Sequence, residues 1–146
     1  MQVKQICSYQ IYCVVVLCCV SANHLGYLMT KILLAEDDNS LRTFLAAALR
    51  RAGHEVLDHE DGEGALESLE REVFDLLLTD IVMPGLDGIE LARRGAELDP
   101  AMKIVFITGF AAVALSSGAP TPAGSKILSK PFHLREIVEE LSLIHI

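Results

Sequence analysis

Short apolar runs alternate five times with segments whose apolar residues recur at helical spacing, and this alternation constrains the fold more than any other feature. The runs are KILLA (31–35), EVLDH (55–59), DLLLT (75–79), KIVFI (103–107) and KIL (126–128). Between the first two, Asn39 is expected to cap a helix that places Leu41, Leu45, Ala48, Leu49 and Ala52 on one face, with Gly53 as its stop. The segment 62–71 carries Ala65, Leu66 and Leu69 at helical spacing. Asp87 is expected to cap a helix reaching about Leu98, which Asp99-Pro100 ends. Phe110 to Leu115 predicts a short helix before the loop SSGAPTPAGS, and Leu134, Ile137, Val138 and Leu141 predict a last helix from His133 onward. Strands that alternate with helices form a parallel sheet covered on both faces, an α/β three-layer sandwich. The first, third and fourth runs are almost wholly apolar, as burial on both faces requires. A chain of 146 residues suits one such core.

The first 28 residues stand apart. They hold all four cysteines (Cys7, Cys13, Cys18, Cys19) and none of the 20 acids. Ile11 to Val20 is an apolar run behind Lys4, too short for a bilayer, which needs about 20 apolar residues. It reads either as a signal-peptide core, with Val20-Ser21-Ala22 at the cleavage position, or as an extension upstream of a start at Met29. The second reading is preferred, with residues 1–28 outside the domain, residues 29–146 forming it, and a cytoplasmic location. The net charge of −8 argues against nucleic acid as a direct partner, because phosphate backbones repel it.

In open parallel sheets, ligands sit beyond the carboxyl ends of the strands. The first run here ends in Glu36-Asp37-Asp38, the third in Asp80, the fourth in Thr108 and the fifth in Ser129-Lys130-Pro131. Two carboxylates about 5 Å apart repel by roughly 3 kcal/mol at an effective dielectric of about 20. Three close together approach about 10 kcal/mol, comparable with the stability of a whole domain. A proton offsets part of this. A dication offsets more, and all-oxygen donors with no His or Cys suit Mg²⁺. Lys130 then supplies a point cation for a phosphoryl oxygen, Thr108 a hydrogen bond, and Asp80 a nucleophilic carboxylate. Pro84 blocks strand continuation, and Gly85 and Gly88 permit a tight bend before the helix that Asp87 caps.

The stretches ILLAEDDNS, LLLTDIVMPGLDGIELA, KIVFITGF and ILSKPFHLREIV, in this order, closely resemble the receiver domain of two-component response regulators. The resemblance covers Met29 to about Leu141. It implies the flavodoxin-like (βα)5 fold with strand order 2-1-3-4-5 and a role in phosphorelay signalling. Receivers are a standard instance of that strand order, so the order comes with the resemblance and not from the spacing of the runs. By position, the resemblance implies Asp80 as phosphoacceptor, Asp37, Asp38 and Asp80 as Mg²⁺ ligands with the Val82 backbone carbonyl, Thr108 as switch hydroxyl and Lys130 as phosphoryl-sensing cation. It further implies a cis Lys130–Pro131 bond and a histidine kinase or histidine phosphotransferase as donor; no nucleic acid or membrane partner is expected. The stretches DGIELARR and FITGFAAVAL are similar to the CpdR type of stand-alone receiver, which implies the ClpXP protease as downstream partner. Ile127 departs from the family, which usually has an aromatic switch residue there. No output domain is expected after Phe132.

Two other readings compete. An Asp-nucleophile phosphohydrolase of the haloacid-dehalogenase kind needs a second acid two residues after the nucleophile, whereas Asp80 is followed by Ile81 and Val82. A phosphate-blind interaction module is compatible with Ile127 but leaves the acid, hydroxyl and lysine set unexplained. The protein is therefore expected to be a self-phosphorylating switch, not a turnover enzyme. Phe110, Val113 and Leu115 read as core-facing before partner-facing, and Phe132 as packing. His54, His59 and His133 read as solvated, and DGEGALESLERE as an acidic solvated face. Val82 offers no side-chain hydrogen bond to a hydrolytic water, so slow loss of an Asp80 phosphate is expected.

Overall fold

The structure, a computed structural model, describes residues 29–109 and 120–144. Five strands form one parallel sheet: β1 (Lys31–Ala35), β2 (Glu55–His59), β3 (Leu76–Asp80), β4 (Lys103–Thr108) and β5 (Lys126–Ser129). Their order is β2-β1-β3-β4-β5, with every neighbouring pair parallel. Among the described residues four helices accompany them: α1 (Asn39–Arg51), α2 (Gly62–Arg71), α3 (Gly88–Leu98) and α4 (Leu134–Ile144). This is the flavodoxin-like arrangement. The short helix expected at 110–115, with Phe110, Val113 and Leu115, lies outside the described residues, as does the 1–28 segment.

The side-chain period of two decides the layers. Leu33 and Ala35 of β1, Leu77 of β3, and Ile104 and Phe106 of β4 face α2 and α3, packing with Ala65, Leu69, Leu91 and Ala92. The intervening Ile32, Leu34, Leu76, Leu78, Val105 and Ile107 face α1 and α4, packing with Leu45, Leu49, Ile137 and Leu141. A fully buried Leu, Ile or Phe contributes about 1.5–3 kcal/mol. Both faces of β1, β3 and β4 are filled in this way, which fixes their register and brings their carboxyl ends to one rim. Ile127 of β5 lies beside Phe106 and packs on the α2–α3 side. Phe132 packs on the other side.

Of the boundaries that differ by one residue from those expected, two bear directly on the acids of the rim. The cap of α1 is Asp38, not Asn39: its carboxylate accepts the Leu41 N–H at 2.9 Å. Strand β3 ends on Asp80 itself, not on Thr79. Gly53, with φ +97, takes the left-handed conformation that ends α1 after Ala52. Asp87 caps α3, accepting the Glu90 N–H at 2.8 Å.

Candidate functional site

The sheet delivers three carboxylates to its rim from two adjacent strands. Glu36 and Asp37 follow the end of β1, and Asp80 ends β3 beside it. Carboxylate oxygens of Glu36, Asp37 and Asp80 all lie within 4.8 Å of one another. Glu36 is fully buried and Asp80 nearly so, while Asp37 is exposed. From the end of β5, Lys130 reaches across: its Nζ donates to Asp80 Oδ2 at 2.9 Å and to Glu36 Oε2 at 3.1 Å. The remaining oxygens are also engaged. Asp80 Oδ1 accepts the Val82 N–H at 3.2 Å, and Glu36 Oε1 accepts the Asp38 N–H at 3.1 Å. The Arg42 guanidinium donates to the Glu36 carbonyl at 2.8 Å and fixes the backbone between β1 and α1.

Burial pushes the Glu36 carboxyl above its usual range, and the nearby Asp80 charge adds to this against the opposing pull of Lys130. Burial alone would lower the Lys130 ammonium, but its bonds to Asp80 and Glu36 and their charges outweigh that and raise it. The rim has three carboxyl groups facing one ammonium. Its donors are all oxygens, one of them on an exposed residue. That set fits a hard dication with open positions, as Mg²⁺ requires.

The backbone holds Asp80 tightly. Gly88 opens α3 against the Asp80 carbonyl so closely that a Cβ there would lie 1.8 Å from that oxygen. The Gly88 N–H donates to the Ile81 carbonyl at 2.9 Å, closing the turn between β3 and α3. Thr108 ends β4, one residue past Ile107, the register partner of Asp80. It is buried, and its carbonyl accepts the Lys130 N–H at 2.8 Å. The Lys130–Pro131 bond is cis.

The expected site residues are placed as follows. Glu36, Asp37, Asp80 and Lys130 converge, whereas the Asp38 carboxylate is turned onto the first turn of α1. A cap residue aims a side-chain oxygen at the helix N–H groups, and Asp38 Oδ1 does so here. Glu36 was legible only as a strand-end acid, and Arg42 not at all. Val82 stands on the loop after β3 with 59% of its surface exposed. His59 is half-buried rather than solvated, because its Nε2 pairs with Ser68 Oγ at 2.8 Å across β2 and α2. His54 is half-buried as well, and His133 is exposed. No helix among the described residues is long and apolar enough to cross a membrane.

Comparison with known proteins agrees with this geometry. Residues 32–142 match the response regulator receiver domain. The chain is 59% identical over 113 residues to the response regulator receiver protein CpdR of Brucella abortus (strain 2308), covering 77% of this chain and 94% of that one. It is 35% identical over 109 residues to the sensor kinase CckA of the same organism, covering 73% of this chain but 11% of that longer protein. Among solved structures, a response regulator receiver protein from Sinorhizobium medicae WSM419 aligns with a TM-score of 0.73 at 34% identity, covering 82% of this chain and 96% of that one. The response regulator protein TrrA of Thermotoga maritima, solved in complex with Mg(2+)-BeF, aligns with a TM-score of 0.68 at 30% identity, covering 80% of this chain and 99% of that one.

Proposed function

This chain belongs to the response regulator receiver family and acts in phosphorelay signal transduction, and from that premise we propose that Asp80 is its phosphoacceptor. The observation that carries the assignment is the Lys130 ammonium held between Asp80 and Glu36, at the meeting of β1, β3 and β5. Phosphoryl transfer asks little of a protein beyond positioning and charge. An Asp80 carboxylate oxygen attacks the phosphorus of a phosphohistidine. A phosphorus–oxygen bond forms, the phosphorus–nitrogen bond breaks, and the electron pair leaves on the imidazole nitrogen.

Glu36, Asp37 and Asp80 would hold Mg²⁺ with the Val82 carbonyl, and the TrrA structure is a relative solved with that ion. When bound, the dication supplies positive charge to the phosphoryl oxygens. Lys130 would exchange its contact with Asp80 for one with a phosphoryl oxygen. Thr108 donates its hydroxyl to another, which couples the end of β4 to the state of Asp80. Ile127 packs beside Phe106 and carries no ring to reorient, so the signal passes through Thr108 and the segment after β4. The product is a changed surface, not a released molecule, and the protein is a switch rather than a turnover enzyme.

The donor is a histidine kinase or histidine phosphotransferase; such donors draw on cytosolic ATP, which supports a cytoplasmic location for the domain, read as residues 29–146. The ClpXP protease, which the sequence resemblance to the CpdR type implies, is the downstream partner of this reading. A phosphorylated histidine phosphotransferase should pass its phosphoryl group to the wild-type chain and not to Asp80→Ala. Equal uptake by the variant would overturn the assignment.

A further inference from the structure

We infer that Glu63 is a positioning residue for phosphoryl uptake, acting as a clasp on the loop that follows Asp80. This rests on the reading of Asp80 as phosphoacceptor. The loop 81–87 is anchored at its near end by two buried side chains, Ile81 and Met83. Between and beyond them, Val82, Pro84 and Gly85 are exposed, while Leu86 is half-buried with its side chain against the α2–α3 core. The far end is held from another element. Glu63, in the first turn of α2, accepts the Leu86 N–H on its Oε1 at 2.9 Å.

The fit there is close and specific to these residues. A Cβ on Gly62 would lie 2.2 Å from the Leu86 carbonyl oxygen, so α2 begins directly against the loop backbone. Gly85 has φ +75, and a Cβ there would lie 2.4 Å from Glu63 Oε1. The carboxylate therefore occupies the space that a side chain at position 85 would take. Asp61 caps the same helix from one residue before Gly62, accepting the Gly64 N–H at 2.7 Å, and so holds the first turn rigid. Glu63 itself is exposed and packs in neither core cluster. Its bond to the Leu86 N–H is the specific use the structure gives it.

The consequence concerns Val82. Its N–H reaches Asp80 Oδ1, and its carbonyl is the backbone group proposed to face the metal. Both depend on the path of the loop between Met83 and Asp87. With Leu86 released, the loop samples other paths while the strands and core stay in place. Reacting groups displaced by as little as about 1 Å can lose up to about a hundredfold in rate.

The test uses the full chain and three proteins: wild type, Glu63→Ala and Glu63→Gln. Glu63→Gln keeps a carbonyl oxygen able to accept the Leu86 N–H, and Glu63→Ala does not. Thermal melting should be little changed, since position 63 is exposed and alanine is a good helix former. Amide exchange at Leu86 should accelerate in Glu63→Ala and return toward wild type in Glu63→Gln. Phosphorylation by acetyl phosphate at saturating Mg²⁺ should slow by roughly tenfold in Glu63→Ala, with Glu63→Gln recovering most of the rate. Unchanged Leu86 exchange in Glu63→Ala overturns the clasp. So does faster exchange with an unchanged rate, or a Glu63→Gln that behaves like Glu63→Ala. Failure of the wild type to take up phosphoryl would instead overturn the reading of Asp80, and the exchange measurement would still decide whether Glu63 holds the loop.

Discussion

Replacing Lys130 with methionine removes the ammonium that bridges two buried carboxylates. At 2.9 and 3.1 Å its attractions to Asp80 and Glu36 are each about 5–6 kcal/mol at an effective dielectric of about 20. Each acid pair within 4.8 Å repels by at least about 3 kcal/mol on the same scale. The substitution leaves that repulsion uncompensated. Breaking a buried pair from one side costs about 3–5 kcal/mol. The Lys130 side chain is 27% exposed, so water replaces part of its contribution and about 2–3 kcal/mol remains. For a domain of this size that lowers the Tm by roughly 10 °C. The sign with pH follows from the direction of each shift. The folded-state value of Lys130 is raised, so its stabilisation is fully present below its ordinary 10.5 and is lost as pH rises through the higher folded value. Glu36 is raised too, so stability from its neutral form is present below the ordinary carboxylate range and is lost as pH rises through the folded value. The gap between wild type and Lys130→Met should therefore be widest from neutrality to about pH 10 and shrink as acid neutralises Glu36. Adding Mg²⁺ should narrow it as well, because a dication offsets the same acids. Thermal melts at pH 4 and pH 8, with and without Mg²⁺, decide the matter. An equal gap at both pH values, or no gap at pH 8, refutes the reasoning.

Four further outcomes are expected. Asp38→Ala should cost about 1 kcal/mol through loss of the α1 cap yet leave Mg²⁺ affinity intact, whereas Asp37→Asn should weaken that affinity roughly tenfold or more; isothermal titration and denaturant melts separate the two. Gly88→Ala places a Cβ 1.8 Å from the Asp80 carbonyl and should destabilise by about 3 kcal/mol, read as a lower denaturant midpoint at unchanged slope. Glu90, whose carboxyl is pulled down to about 2 by bonds from Arg93 and then Arg94, should add a small stabilisation that is present above the ordinary carboxylate value and lost as pH falls toward 2; Glu90→Gln should flatten that part of the stability profile, and high salt should mask the difference. Asp80 phosphate should be long-lived, because Val82 offers no side-chain hydrogen bond to an attacking water, and a lifetime of only seconds would count against that view.

What the sequence made legible follows from burial. Leu33, Leu77 and Phe106 sit in runs so apolar that only strands covered on both faces accommodate them, and from these the sheet and its rim follow. Asp80 and Lys130 were legible because a carboxylate and a lysine at strand ends need a common explanation. Asp38 entered the expected metal set only by its position in the family resemblance, and no periodicity in the sequence shows that its carboxylate also caps α1. In the structure it is Glu36 and Asp37 whose carboxylates lie with that of Asp80. Glu63 gave no signal, since its partner is a backbone N–H 23 residues away in a turn without periodicity. The same holds for Arg42, whose partner is the Glu36 carbonyl, and for the burial of His59, which depends on a hydroxyl of the neighbouring helix.

The central claim is that the acids at the sheet rim hold a dication and direct a phosphoryl group onto one of them. Incubation with acetyl phosphate and Mg²⁺, followed by mass mapping of the digested chain, tests it most directly. The account predicts the mass of one phosphoryl group on Asp80, absent when Mg²⁺ is chelated and absent in Asp80→Ala. A group found on another residue, or uptake indifferent to Mg²⁺, would contradict it.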